Sequence, residues 1–142
     1  MSQYSHILAG LDLSEDSQQI LQKVAVIAKA FNAEVSIAHV VEPLAFAYGG
    51  DVPLDLTQAQ NSMEDQARSR LTKMAADMSL TTVNQFVTVG QTSSELHRLA
   101  NEAGADLIIV GSHGRHGLAL VFGSTAGGVI KGAETDVLAV RI

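Results

Sequence analysis

The chain has 142 residues, 46 % of them hydrophobic and 17 % charged, with no tryptophan, no cysteine and a formal net charge of −6. This makes one globular domain, residues 1–142, with an aliphatic core, and excludes a disordered chain. An acidic surface without a Lys/Arg cluster speaks against nucleic acid, and the missing cysteines exclude thiol catalysis, disulfides and cysteine metal sites.

No apolar run reaches the ~18 residues that span a bilayer, and MSQYSHILAG lacks the pattern of a signal peptide. The expectation is a cytoplasmic protein with no membrane partner.

In chain order, SHILAG predicts a short buried strand that stops at Asp12. Ser14 is placed to cap the next helix, with Glu15 and Asp16 at its positive end. Ile20, Leu21, Val24, Ile27, Ala28 and Phe31 recur at helical spacing, and Asn32 ends that helix. EVSIAHVV, rich in β-branched residues, predicts the second strand. The stretch EPLAFAYGGDVPLDL carries both prolines and a Gly-Gly pair, and predicts a connection without secondary structure. It is either a lid over a site or a loosely ordered excursion.

From about Thr57, Met63, Ala67, Leu71, Met74 and Met78 mark one face of a long helix, with the methionines as core filler. TTVNQFVTVG predicts the third strand. A helix starting at Ser94 or a neighbour carries Leu96, Leu99, Ala100 and Ala103, and Gly104 is its C-terminal cap. DLIIVGS predicts a fourth strand, apolar on both faces. Ala126, Val129, Ile130 and Ala133 form a last helical face, and DVLAVRI a fifth strand.

Strands that alternate with helices need crossover connections, so the fold class is α/β, an open five-stranded parallel sheet with helices on both faces. In such sheets ligands bind beyond the C-terminal ends of strands, where the strand order reverses. Residues 10–14, 40–42 and 111–124 leave such ends.

The last of these segments opens GSHGRHGLALVFGST, residues 111–125. Its serines do not fit a nucleophile elbow, because around Ser112 glycine stands where G-x-S-x-G has its variable residue, and no triad follows in the expected order. His113 and His116 lie three apart without a nearby carboxylate, short of the three or four ligands zinc takes. Neither GxxxxGK[ST] nor GxGxxG occurs. What remains is a glycine-rich loop ending in Gly123-Ser124-Thr125 at a helix start, where free backbone N–H groups and hydroxyls can meet an anion. Any one of these residues is satisfied as a turn glycine or an N-cap. Gly111, Gly114, Gly123 and Ser124 together, after the fourth strand, make phosphate binding the better account.

Three pieces, ILAGLDLSEDS, SIAHVVEP and LIIVGSHGRHGLALVFGSTA leading to DVLAVRI, resemble the universal stress protein family in order and across the whole chain. The resemblance implies a Rossmann-like sheet of strand order 3-2-1-4-5, a homodimer, and a role in stress response. In its nucleotide-binding branch ATP is held through G-x2-G-x9-G-[ST]. By that resemblance Asp12 meets the adenine side, Val40 packs beside the base and Gly111 approaches the ribose. Gly114, Gly123, Ser124 and Thr125 cradle the phosphates of ATP (or AMP/ADP) with Mg²⁺, and His113 and Arg115 lend positive charge. No catalytic residue is implied; the chain is at most a slow ATPase.

There are two departures from the pattern. Eight residues, RHGLALVF, lie between Gly114 and Gly123. Leu13 follows Asp12 where nucleotide-binding members often carry glycine, and a D-L-S start is like the branch that does not hold ATP. The alternative is therefore a dimeric interaction protein of the same fold with a degenerate site. In either case the fifth strand is an apolar edge, and antiparallel pairing with its own copy from Val137 to Ile142 would cover it.

Overall fold

The computed structural model describes residues 3–43, 54–112, 129–130 and 133–141. Its elements are β1 (His6–Gly10), α1 (Ser17–Phe31), β2 (Glu34–Val41), α2 (Leu54–Asp77), β3 (Asn84–Val89), α3 (Thr92–Ala103), β4 (Leu107–Gly111) and β5 (Asp136–Val140). The strands form one parallel sheet in the order β3-β2-β1-β4-β5, as the family resemblance implies.

Alternation along the strands sends side chains to two cores. Ile7, Ala9, Val35, Ile37 and Ile109 pack with Leu21 and Val24 of α1 and Leu71 of α2. Leu8, Ala38, Ile108 and Val110 pack on the other face with Leu96 and Leu99 of α3 and with Val129. The central strands are thus buried on both sides, which is why LIIV is uninterrupted hydrocarbon.

Local signals mark the C-terminal ends of α1 and α3. Asn32 takes the left-handed conformation (φ 54°, ψ 45°) that closes α1, and Gly104 (φ 72°) closes α3. The start of α1 differs from expectation. The helix begins at Ser17, and Ser14 is not its cap, because the Asp12 carboxylate takes the Ser14 amide and hydroxyl into a separate turn. α2 begins at Leu54, so the connection after β2 is shorter than its composition predicts; residues 44–53 lie outside the described ones. Met63 is exposed although it shares helical spacing with the buried Ala67 and Leu71. Of the last predicted helical face only Val129 and Ile130 are described as helix; Val129 is buried, whereas Ile130 points outward, 55 % exposed.

The N-terminal edge of the sheet holds a polar network. His6 Nε2 lies 2.7 Å from Ser36 Oγ, which also accepts a bond from Asn84 Nδ2 at 3.2 Å, and His6 Nδ1 is 3.8 Å from Glu34 Oε2. With Asn84 on one lone pair, the Ser36 hydroxyl can donate to Nε2 in the tautomer that leaves Nδ1–H facing Glu34. The order Ser-His-Glu is that of a hydrolytic relay, but Ser36 is wholly buried in the sheet, out of reach of a substrate. Its role is to satisfy two neighbours. Ser36→Ala is expected to destabilise the fold by about 1–3 kcal/mol, because His6 and Asn84 lose a buried partner; the shift of the urea midpoint measures it.

Candidate functional site

The site is the C-terminal edge of the sheet. Pairing of Gly10 with Ala38 and of Ala9 with Ile109 sets the end of β1 beside the C-terminal parts of β2, which runs on to Val41, and β4, which runs on to Gly111. Asp12, Val40 and Gly111, three of the residues expected to meet a ligand, therefore come to one edge. The reversal of strand order falls between β1 and β4. Gly114, Gly123, Ser124 and Thr125 lie outside the described residues, as do His113 and Arg115.

β1 ends in Gly10 for a packing reason. A Cβ there would stand 2.9 Å from Leu96 Cδ1 and 3.2 Å from Val110 Cγ1, so any side chain there requires Leu96 or α3 to shift. Leu11 stays with the sheet, its N–H donating to Ala38 O at 2.9 Å. Its carbonyl accepts from His39 Nδ1 at 2.7 Å, which makes Nδ1 the protonated nitrogen.

The chain then turns away from the sheet. Asp12 is exposed, and its Oδ1 accepts three bonds, from Ser14 N at 2.9 Å, Ser14 Oγ at 2.6 Å and Ser17 Oγ at 3.1 Å. Those donors hold the carboxylate just beyond β1 and tie it to the first turn of α1. Leu13 follows with φ 64°, a left-handed conformation that costs a leucine roughly 1–2 kcal/mol. Its side chain is 5 % exposed and packs into the α1 core. Its carbonyl accepts from Arg70 Nη2, reaching over from α2. The backbone thus keeps the geometry a glycine would adopt freely, and a leucine occupies it by burying its side chain.

Val40 is 8 % exposed, its side chain shared with Leu96, Leu99 and Val110 beneath α3. Gly111 pairs with Val140, and Ser112 N donates to Val140 O at 2.8 Å, which carries the β4–β5 pairing one residue past Gly111. Near the end of β3, Glu95 in the first turn of α3 is bonded twice by Arg98, at 2.7 and 3.0 Å, and this holds the carboxyl below its ordinary range.

Sequence reasoning placed Asp12, Val40 and Gly111 at the strand ends, where the structure has them, but missed the residues that hold them. Ser14 and Ser17 had a local signal, the spacing D-x-S-x-x-S, in which short side chains compete with the backbone for a carboxylate. Gly10, His39 and Arg70 had none, since their partners are far along the chain. Chemically the described edge offers an oriented carboxylate acceptor and backbone groups at two strand ends. Among the described residues no group of three or more His, Asp or Glu could hold a metal, and no helix is long and apolar enough to cross a membrane.

Comparison with known proteins agrees with this architecture. The profile of the universal stress protein family matches residues 3–141. Universal stress protein A homolog 1 of Coxiella burnetii is 37 % identical over 139 residues, covering 96 % of each chain. A universal stress protein solved in complex with cAMP superposes with a TM-score of 0.64 at 27 % identity, covering 96 % of each chain. UspA of Lactobacillus plantarum shares the fold with a TM-score of 0.77 at 23 % identity, over 99 % of this chain and 100 % of its own.

Proposed function

The chain belongs to the universal stress protein family, and from that membership we propose that it binds an adenine nucleotide between the ends of β1 and β4 and acts in stress response as a homodimer. The supporting observation is that Asp12 and Gly111 follow and end β1 and β4, the neighbours at the strand-order reversal, where open parallel sheets take ligands, in a chain 27 % identical to a relative solved with cAMP.

In this reading Asp12 accepts from the adenine side, Val40 backs the base and Gly111 lies against the ribose. Gly114, Gly123, Ser124 and Thr125 take the phosphates of ATP, ADP or AMP. In this reading Mg²⁺ enters as the counter-ion of the phosphates. The reading assigns no catalytic residue and places the protein in the cytoplasm. β5 is a sheet edge whose Val137, Leu138 and Ala139 are only partly buried, and pairing from Val137 to Ile142 with a second copy covers that edge.

The test is purification without added nucleotide, heat release and chromatography of the supernatant, followed by titration with AMP and ATP. Saturable binding is expected, weakened roughly tenfold in Asp12→Asn, which keeps an oxygen for Ser14 and Ser17 but loses the charge. No released nucleotide and no saturation at millimolar concentration would reject the proposal. One observation favours a second reading, an interaction protein with an idle site: leucine rather than glycine occupies the left-handed position beside Asp12. A bulky residue at Gly123 separates the two, since stress survival and partner binding persist only if the site is idle.

A further inference from the structure

We propose that Arg70 is a positioning residue for the nucleotide site, acting from α2 through the backbone of Leu13 to set the Asp12 carboxylate. The proposal rests on the nucleotide reading of the site, and its experiment has an arm that does not.

Leu13 stands in a conformation that a leucine leaves unless its surroundings hold it there. Two features hold it. Its side chain is buried against the α1 core, and the Arg70 guanidinium donates to its carbonyl. Burial alone does not fix the peptide, because a side chain can stay in an apolar core while φ and ψ readjust around it. The bond from Arg70 acts on the peptide plane itself. A return of Leu13 to right-handed backbone would swing its carbonyl off the guanidinium and shift Asp12 against Ser14, whose amide donates to Asp12 Oδ1.

Arg70 is exposed, so its place on α2 is not dictated by packing. A guanidinium suits the task because it is planar and always charged, and it holds a carbonyl in one direction better than an ammonium does. The link joins residues 57 apart in the chain. It couples the long helix α2 to the turn at the site, so any movement of α2 is felt at Asp12.

The experiment compares wild type, Arg70→Met, Arg70→Lys, Leu13→Gly and the double variant Leu13→Gly/Arg70→Met. Affinity for AMP, amide hydrogen exchange at Ser14 and the urea midpoint are read in each. Arg70→Met is expected to weaken AMP binding roughly tenfold and to speed Ser14 exchange, with the urea midpoint nearly unchanged. Arg70→Lys recovers part of both, since it keeps one donor. Glycine adopts the left-handed conformation freely, so adding Arg70→Met to Leu13→Gly changes AMP affinity less than twofold. Should Leu13→Gly not fold, the Arg70→Lys recovery and the Ser14 exchange decide. Weaker AMP binding with Ser14 exchange unaltered, or binding that falls only in step with global stability, overturns the proposal. If wild type does not bind AMP, the nucleotide reading fails, and Ser14 exchange alone then supports or overturns the positioning role.

Discussion

Gly10→Val is expected to destabilise the protein by about 3 kcal/mol and to loosen ligand binding as well. A Cβ at this position would lie 2.9 and 3.1 Å from the two Leu96 methyls and 3.2 Å from Val110 Cγ1. Both neighbours are fully buried in the core beneath α3, so neither has open space to move into. Relief requires α3 to lift or the end of β1 to bend, and the second movement carries Leu11 and Asp12 with it. Gly10→Ala, which adds the Cβ without the γ-methyls, is expected to cost about 1–2 kcal/mol. Urea unfolding with an unchanged slope measures both. Adding Leu96→Ala to Gly10→Val should return part of the loss, because the cavity left by the leucine accepts the new methyls; this coupling is the signature of a steric cause. A Gly10→Ala protein as stable as wild type would show that Leu96 swings aside at no cost, and close packing would not be the reason for glycine.

Asp106→Ala is expected to cost about 3 kcal/mol at neutral pH, the weight of several bonds to one charged acceptor. Its carboxylate accepts from Ser5 N at 2.9 and 3.1 Å, Ser5 Oγ at 2.9 Å and His6 N at 3.0 Å. Asp106 N in turn donates to His6 O at 2.9 Å, so this one residue clasps the start of β1 to the start of β4. Burial on its own pushes the Asp106 carboxyl upward, but the bonds from the Ser5 and His6 amides and the Ser5 hydroxyl outweigh it and hold the group below its ordinary value.

The sign of the pH effect follows. A folded pKa below the unfolded one means stability that is fully present above the unfolded value, about 3.9, and lost as pH falls through the folded value. The gap between wild type and Asp106→Ala should therefore be constant near neutrality and narrow below about pH 4. Glu95 is also held low by Arg98, but it titrates in both proteins and cancels in the difference. A gap independent of pH down to acid unfolding would show that the charge of Asp106 contributes nothing.

The bounds of β2, the caps at Asn32 and Gly104 and the alternation of strands with helices were legible because each rests on neighbours within one or two turns. The start of α1 was not, although its cause is nearby: Asp12 engages Ser14, and the helix opens after Asp16 without a side-chain cap. Met63 and Ile130 were assigned to the buried face by periodicity, but how wide a stripe a helix buries is set by its angle to the sheet, which spacing does not encode.

For the site, the family resemblance named residues that do lie at the strand ends, and it did not name those that hold them. Strand type, helix phase and capping come from short-range sterics and hydrogen bonds, and these the chain determines locally. The clash that demands Gly10, the clasp of Asp106 on Ser5 across 101 residues and the reach of Arg70 to Leu13 across 57 exist only once the sheet register and the helix placements are set. Tertiary structure decided them because a strained turn or a close approach persists only when contacts distant in sequence hold it in place.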